Sequence, residues 1–472
     1  MSAARAFDGA ARKRSTRRVS DARQAIIDAL RREDAHAAFA AARRALAAAP
    51  NDLFLLRVVV RMGPLVADHA AAAEAAARAA RHPRATTEDR IAFVARAMDV
   101  SAYDEAEAMA AALWHGGERA PALADLYARL LVTRGATDEA ACVLRSGGET
   151  DTLTPRLAAQ LVGLPDATDA DLAAAATLSA RSTSEPLQLA LARAFDRRGD
   201  PTAALRHLRD AEPLRPRWDE ESERARIDWA VRQYEGVKKA GHTSAADDVC
   251  SPIYLCGPPR SGGTYLQGRL CAAYRATSVG ERGSLPLAFH QRSGAPLSPG
   301  LIEHLRRADA AGLRRQAGPD PSVDKTPVNA LFAGLLAVVH PAARMIRNGR
   351  SLRETALSIW MHDLPLAYAY AGSLEGTARY LALHEQTLDR WEAAGLAMLR
   401  VDHETVVGDP ASLPALADRL DLEKRTEIAA VRAATHSAVQ VRQRTGAVAP
   451  RYDTYSPLLR DTERRALEAL PS

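Results

Sequence analysis

Small and apolar residues recur along the first half of the chain with two superposed periods, one of a single helix and one much longer. Ala38, Ala72, Ala106 and Ala140 stand thirty-four positions apart, an interval that suits a repeating pair of helices. The clearest single unit runs from Gln188 to Pro216. There Leu191, Ala192 and Phe195 fall on one predicted helix and Ala204, Leu208 and Ala211 on the next, with Gly199 and Asp200 forming the turn and Pro216 ending the second helix. Small side chains at the crossing let paired helices approach closely, while larger apolar residues fill the groove beside them. The pattern changes after residue 250. Ile253, Tyr254, Leu255 and Cys256 predict a short strand, the glycine-rich run Gly257 to Gly263 a loop, and Thr264 to Tyr274 a helix. Further short strands are predicted at Ala343 to Arg347 and Leu399 to Glu404.

Composition narrows this picture. A chain of 472 residues exceeds what one core usually organises. The abundance of Ala, Leu and Arg in its first half favours helix. The expected organisation is a basic tail over residues 1–20, a tetratricopeptide-like helical repeat domain over 21–245 and an α/β domain over 246–472. The charged stretch Asp219 to Asp248, ending in the small, polar run Gly241 to Asp247, marks the expected boundary near 245. A solenoid of this kind offers a concave surface to a peptide, a partner protein or a second copy of itself.

Charge and cysteine use exclude several classes. With 63 basic and 58 acidic residues the net charge is +5, too balanced to call for a nucleic-acid partner. Cys142, Cys250, Cys256 and Cys271 have neither paired zinc spacing nor the density of a disulfide scaffold, so no metal site is expected and a reducing cytoplasm fits. No apolar run of about 18 residues is present to span a membrane. Met1 to Arg23 has basic residues and no apolar signal core, and reads as a solvated tail.

The strand, glycine loop and helix that begin at Pro252 are an arrangement whose backbone N–H groups converge on an anion. Gly257, Pro258, Pro259, Arg260, Ser261, Gly262, Gly263 and Thr264 meet every fixed position of the Walker A pattern except the lysine, where Gly263 stands. The group that would reach the outer phosphates of ATP is therefore missing, which argues against ATP hydrolysis.

Pro-Arg-Ser-Gly-Gly-Thr resembles the 5′-phosphosulfate loop of sulfotransferases, usually written Pro-Arg-Ser-Gly-Thr-Thr. On that resemblance Arg260, Ser261, Gly262, Gly263 and Thr264 would hold the 5′-phosphosulfate of 3′-phosphoadenosine 5′-phosphosulfate (PAPS). Gly263 in place of the first threonine removes one hydroxyl and keeps the backbone N–H. Some ninety residues after Arg260, Arg350 and Ser358 stand eight apart in Arg-x-x-Arg-Glu-Thr-Ala-Leu-Ser-Ile-Trp, like the arginine and serine with which sulfotransferases grip the 3′-phosphate. A guanidinium fork and a hydroxyl are suitable donors to a dianion. Leu352 replaces the usual proline two residues after the arginine.

Two further segments resemble the tetratricopeptide-containing sulfotransferases and, more distantly, the protein-tyrosine sulfotransferases. They are Gly280-Glu281, and Asp324-Lys325-Thr326-Pro327 with Asn329. The resemblance makes Glu281 the candidate general base, with His290 as a rival, and Lys325 the group that stabilises the transferring or leaving group. The run from Thr435 to Gln443 is similar to the signature Thr-Ala-Ser-x-x-Gln-Val-Arg, which implies that Ser437 donates near the phosphosulfate and that Arg442 adds charge near the 3′-phosphate. Trp391 and Asp402 are expected to frame the fold. The resemblance covers residues 252 to about 460 and implies a PAPS-dependent sulfotransferase whose acceptor carries a hydroxyl: a peptide tyrosine, a sugar or a small molecule. Two rivals stand beside it, a degenerate P-loop kinase and a repeat scaffold whose transferase domain has lost activity.

Overall fold

The computed structural model describes residues 21–32, 34–66, 68–100, 102–147, 153–240, 251–364, 366–425 and 451–471. The chain divides by packing into two compact units, Met1–Ala175 and Ala176–Ser472. The first is helical. After a helix over residues 21–31 come Ala35–Leu46, Leu53–Met62, His69–Ala80, Thr87–Asp99, Tyr103–His115, Pro121–Arg134, Thr137–Ser146 and Pro155–Gly163. From Ala35–Leu46 onward each helix packs on the ones before and after it in the chain. Ala38, Ala72, Ala106 and Ala140 fall on alternate helices and are wholly buried, where a larger side chain would force the neighbouring helices apart.

Long-range ion pairs fasten these helices. Arg57 grips the buried Asp89 through two bonds of 2.7 Å, and Arg156 grips Asp125 at 2.6 and 2.8 Å. Asp89 also belongs to the capping box of its own helix with Thr86. The hydrogen bond from Arg57 outweighs burial and holds the Asp89 carboxyl down to about 2. A depressed folded-state value stabilises above the ordinary carboxylate range, and that contribution is lost as pH falls through about 2. Arg57→Ala is therefore expected to lower the melting temperature at pH 7, with the gap from wild type closing toward pH 2 in a calorimetric series.

The second unit is built on a five-stranded parallel sheet, β1 (Ile253–Leu255), β2 (Thr277–Gly280), β3 (Ser322–Asp324), β4 (Arg344–Gly349) and β5 (Met398–Asp402), in the order β2-β3-β1-β4-β5. Parallel strands must be covered on both faces, and the side-chain alternation of β1 does this. Ile253 and Leu255 pack with Leu266, Leu270 and Leu416, whereas Tyr254 and Cys256 pack with Ile227, Tyr234, Leu335 and Trp391. Trp391 is fully buried, and its indole N–H donates to the Ala330 carbonyl at 2.8 Å. The strand expected to run to Glu404 ends at Asp402. There the carboxylate accepts from the Thr405 N–H at 3.2 Å and starts the helix His403–Gly408.

The packing division lies at residue 175, ahead of the boundary expected near 245, which falls among residues outside those described. Helices Glu185–Arg197, Pro201–Ala211 and Glu220–Lys239 thus belong to the sheet unit. Ala192, Ala204 and Leu208 share a core with Leu357, Trp360, Tyr380, Tyr455 and Leu467. The turn between the first two helices is as expected: Gly199 has φ of 74°, and Asp200 caps the Ala203 N–H at 2.9 Å.

Two arginines, Arg193 half-buried and Arg215 buried, fix this helical pair to the helix Leu352–Trp360. Arg193 donates to the Met361 carbonyl at 3.0 Å, and Arg215 to Trp360 and His362 at 3.0 Å each and to Ala371, while its Nε holds Glu185 at 2.9 Å. They satisfy carbonyls that a helix C-terminus leaves open, at its negative end. Burial pushes Arg193 down to about 10, with Asp363 opposing. The segment after residue 450 closes the unit. Tyr455 donates to Asp196 at 2.9 Å, the Tyr452 N–H donates to Glu354 at 2.7 Å, and Arg209 pairs with the buried Glu463 at 2.9 Å. Among the described residues no helix is long and apolar enough to cross a membrane. Arg215→Ala leaves three carbonyls and Glu185 without their donor. It is expected to cost about 3 kcal/mol, read as a lowered urea midpoint by tryptophan fluorescence.

Candidate active site

All five strands run the same way, so the segments that leave β1, β2, β3, β4 and β5 emerge at one edge of the sheet. In parallel sheets ligands bind in the crevice beyond the carboxyl ends of the strands, where the order reverses. Here β1 is flanked by β3 and β4. The loop Gly257 to Gly262 leaves β1 and enters the helix Gly263–Ala273.

Asn348, near the end of β4, shapes this loop. Its Oδ1 accepts from the Gly257 N–H at 2.9 Å, and its Nδ2 donates to Ser261 Oγ at 2.9 Å. The Ser261 hydroxyl in turn donates to the Pro258 carbonyl at 2.7 Å. The fit leaves no room for a side chain at Gly257, where a Cβ would press on Asn348 and Ser261. Arg260 has φ of 67°, in the left-handed region that a non-glycine residue adopts only when its surroundings hold it there. Gly263 is different. A Cβ there would meet only ordinary contacts, the nearest at 3.6 Å from Asn348 Nδ2. A side-chain carbon at this position is therefore not excluded by its neighbours.

The two segments that sequence reading assigned to one ligand meet at this edge. Arg260 Nε donates to Ser358 Oγ at 3.2 Å, and Arg350 Nη1 donates to the Arg260 carbonyl at 3.4 Å. Arg350 also lies 3.8 Å from Glu354, and its Nε is buried without a partner. Burial pushes the Arg350 guanidinium down, opposed by Glu354 and Glu404 and reinforced by Arg451. Buried donors of this kind normally have partners.

Glu281 and Lys325 also come together. Lys325 Nζ donates to Glu281 Oε1 at 2.6 Å, with the lysine side chain 6% exposed and the glutamate 50%. A register shift between Ser278 and Gly280 in β2, followed by Gly280 with φ of 71°, turns the chain so that Glu281 faces Lys325. Lys325 is fixed by the strand end, since its N–H donates to the Gly280 carbonyl at 3.0 Å. Asp324 beside it accepts from the Thr326 N–H at 2.7 Å and hydroxyl at 2.6 Å, and from Asn329 at 3.3 Å. Burial pushes the Asp324 carboxyl up against those bonds.

Glu281 does not pair with its neighbour Arg282. That guanidinium is turned to Asp309, which also accepts from Ser284 at 2.8 Å and lies 3.0 Å from His340 Nε2. Burial opposes ionisation of Asp309, but His340 and Arg282 hold its carboxyl below the usual value.

A small cavity of about 50 Å³ joins the glycine loop to Glu281 and Lys325, lined by Gly257, Arg260, Ser261, Gly263, Thr264, Glu281, Lys325 and Asn348 among others; Arg350 and Ser358 do not line it. His290 is not among its lining residues. It lies near Arg226, and burial, aided by that charge, pushes its imidazole down. Ser437 and Arg442 lie outside the described residues. Sequence reading missed Asn348 and His403. Asn348 had a signal, an amide at the end of a short strand and directly before a glycine. No family model matches this chain, and no curated protein does.

The glycines make a paired prediction. Gly257→Ala is expected to destabilise by about 2 kcal/mol through forced displacement of Asn348, while Gly263→Ala, at the first position of a helix, should be neutral or slightly stabilising. Equal destabilisation of the two in denaturant melts would contradict the loop geometry.

Proposed function

We propose that this chain is a sulfotransferase that moves a sulfuryl group from PAPS to a hydroxyl, with a P-loop-type catalytic domain preceded by a tetratricopeptide-like solenoid. The observation that carries the reading is the buried, unpartnered Nε of Arg350, a residue whose Nη1 donates to the carbonyl of Arg260 in the glycine loop, while Arg260 in turn donates to Ser358. PAPS differs from common adenine nucleotides by its 3′-phosphate, and Arg350 with Ser358 would hold that group. Gly262, Gly263 and Thr264 would cradle the 5′ end at the start of their helix. The donor set fits a dianion at one end and a phosphosulfate at the other.

The co-substrate would supply an activated sulfuryl group. Glu281 would accept the proton of the acceptor hydroxyl, and Lys325 would place its ammonium where negative charge develops. Their hydrogen bond keeps each in place before reaction. It also means that the carboxylate serves as a base only once Lys325 is drawn toward another anion. Ser437 and Arg442 remain part of the proposal on sequence grounds alone. The acceptor would enter past the exposed side of Glu281. A soluble, cytoplasmic enzyme without a metal accords with this reading.

Isothermal titration with 3′-phosphoadenosine 5′-phosphate, the expected product, tests it beside ATP with Mg²⁺. The expected result is micromolar binding of the product, none of ATP, and a loss of at least tenfold in affinity for Arg350→Ala. Binding of ATP alone would favour a kinase, and binding of neither would leave a scaffold.

A further inference from the structure

His403, the first residue after β5, has no place in the scheme above, yet its ring forms one wall of the anion loop. The imidazole lies over Gly262 so closely that a Cβ there would meet Cγ at 2.7 Å and Cε1 at 3.0 Å, with Nδ1 nearer still. Gly262 itself has φ of 92° and stands at the N-cap of the helix Gly263–Ala273. Two constraints therefore require glycine at that position, the left-handed backbone and the ring above it. On another side the ring stands edge to face with Tyr265, at 5.5 Å and 87°, so it touches both the loop and the first turn of the helix that follows.

The charged groups that face His403 are Arg350 from the segment after β4 and Asp402 from its own strand. Glu404, the next residue, interacts with both Asp402 and Arg350. Burial first, and Arg350 second, push the imidazole below its ordinary value, with Asp402 opposing. Both influences favour the neutral ring in the free protein.

We propose that His403 is the positioning residue of the anion loop and that it takes up a proton when a phosphorylated nucleotide fills the loop. A dianion held by Arg350 and the loop amides cancels the guanidinium's field at the ring and adds an attractive one, which favours imidazolium. The proton comes from solvent onto a ring nitrogen, and no bond to the ligand forms or breaks. The sign follows: the value is higher in the complex than in the free protein, so affinity rises as pH falls through the complex's value and is flat above it. Imidazolium beside Gly262 would then hold the loop against the anion.

This inference rests on the nucleotide reading, and the experiment separates the two. Titration calorimetry with 3′-phosphoadenosine 5′-phosphate at pH 7.5, above the second phosphate ionisation at about 6, is run in buffers of different ionisation enthalpy to count protons. Wild type should take up several tenths of a proton more than His403→Gln. Its affinity should rise several-fold relative to that variant between pH 8 and 6.5. His403→Asn supplies the same comparison should glutamine disturb the fold, checked by melting temperature. Equal proton counts in wild type and both variants, with all three binding, overturn the role of His403 and leave the nucleotide reading standing. Absence of binding by wild type overturns both.

Discussion

The parallel pairing of β1 on both of its edges is the constraint on which the rest depends. Ile253, Tyr254 and Leu255 pair with Arg344, Met345 and Ile346 on one side, and Ile253 and Tyr254 with Val323 and Asp324 on the other. With β1 central, the glycine loop leaves the sheet between the ends of β3 and β4. Lys325 and Asn348 then approach it from opposite sides. A strand of three residues contributes few hydrogen bonds of its own. Its position is held by the two apolar layers that its alternating side chains enter, one around Leu266 and Leu416 and the other around Trp391.

Those layers explain why helices ahead of the sheet are inseparable from it. The helix Glu220–Lys239 supplies Ile227 and Tyr234 to the core under β1. The helix Glu185–Arg197 supplies Arg193, and the turn after Pro201–Ala211 supplies Arg215, to the carboxyl end of the helix that carries Ser358. A guanidinium buried among carbonyls satisfies several acceptors at once and keeps its charge. The hydroxyl assigned to the 3′-phosphate is therefore positioned by residues more than 140 places earlier in the chain. The segment after residue 450 ties Glu354 and Asp196 to the same region, so that both flanks of the sheet domain support one helix.

Charge at the site is arranged by competition. Arg282 adjoins Glu281 in sequence and would be its natural partner, but the buried Asp309, held also by Ser284 and His340, takes the guanidinium away. Glu281 is left to Lys325, whose buried ammonium needs a carboxylate near it. The outcome is a lysine and a glutamate facing one small cavity, with a second cation, Arg260, also lining it.

The sequence by itself determined the local parts. Alanines at a thirty-four-residue interval marked helix crossings, because a buried crossing tolerates only a small side chain. Gly257 to Gly263 announced a loop between strand and helix, and the left-handed backbone at Gly262 is one that few other residues permit. The eight-residue separation of Arg350 and Ser358 was visible too, although not that Arg260 would link them. Only the tertiary structure decided what depends on distant segments arriving together: the division of the chain near residue 175, the capture of Arg282 by Asp309, the bracing of the loop by Asn348 and the ring of His403 over Gly262. Local preference is written in neighbouring residues, whereas these contacts join positions that pairing of β1 with β3 and β4, and of β4 with β5, brings to one edge.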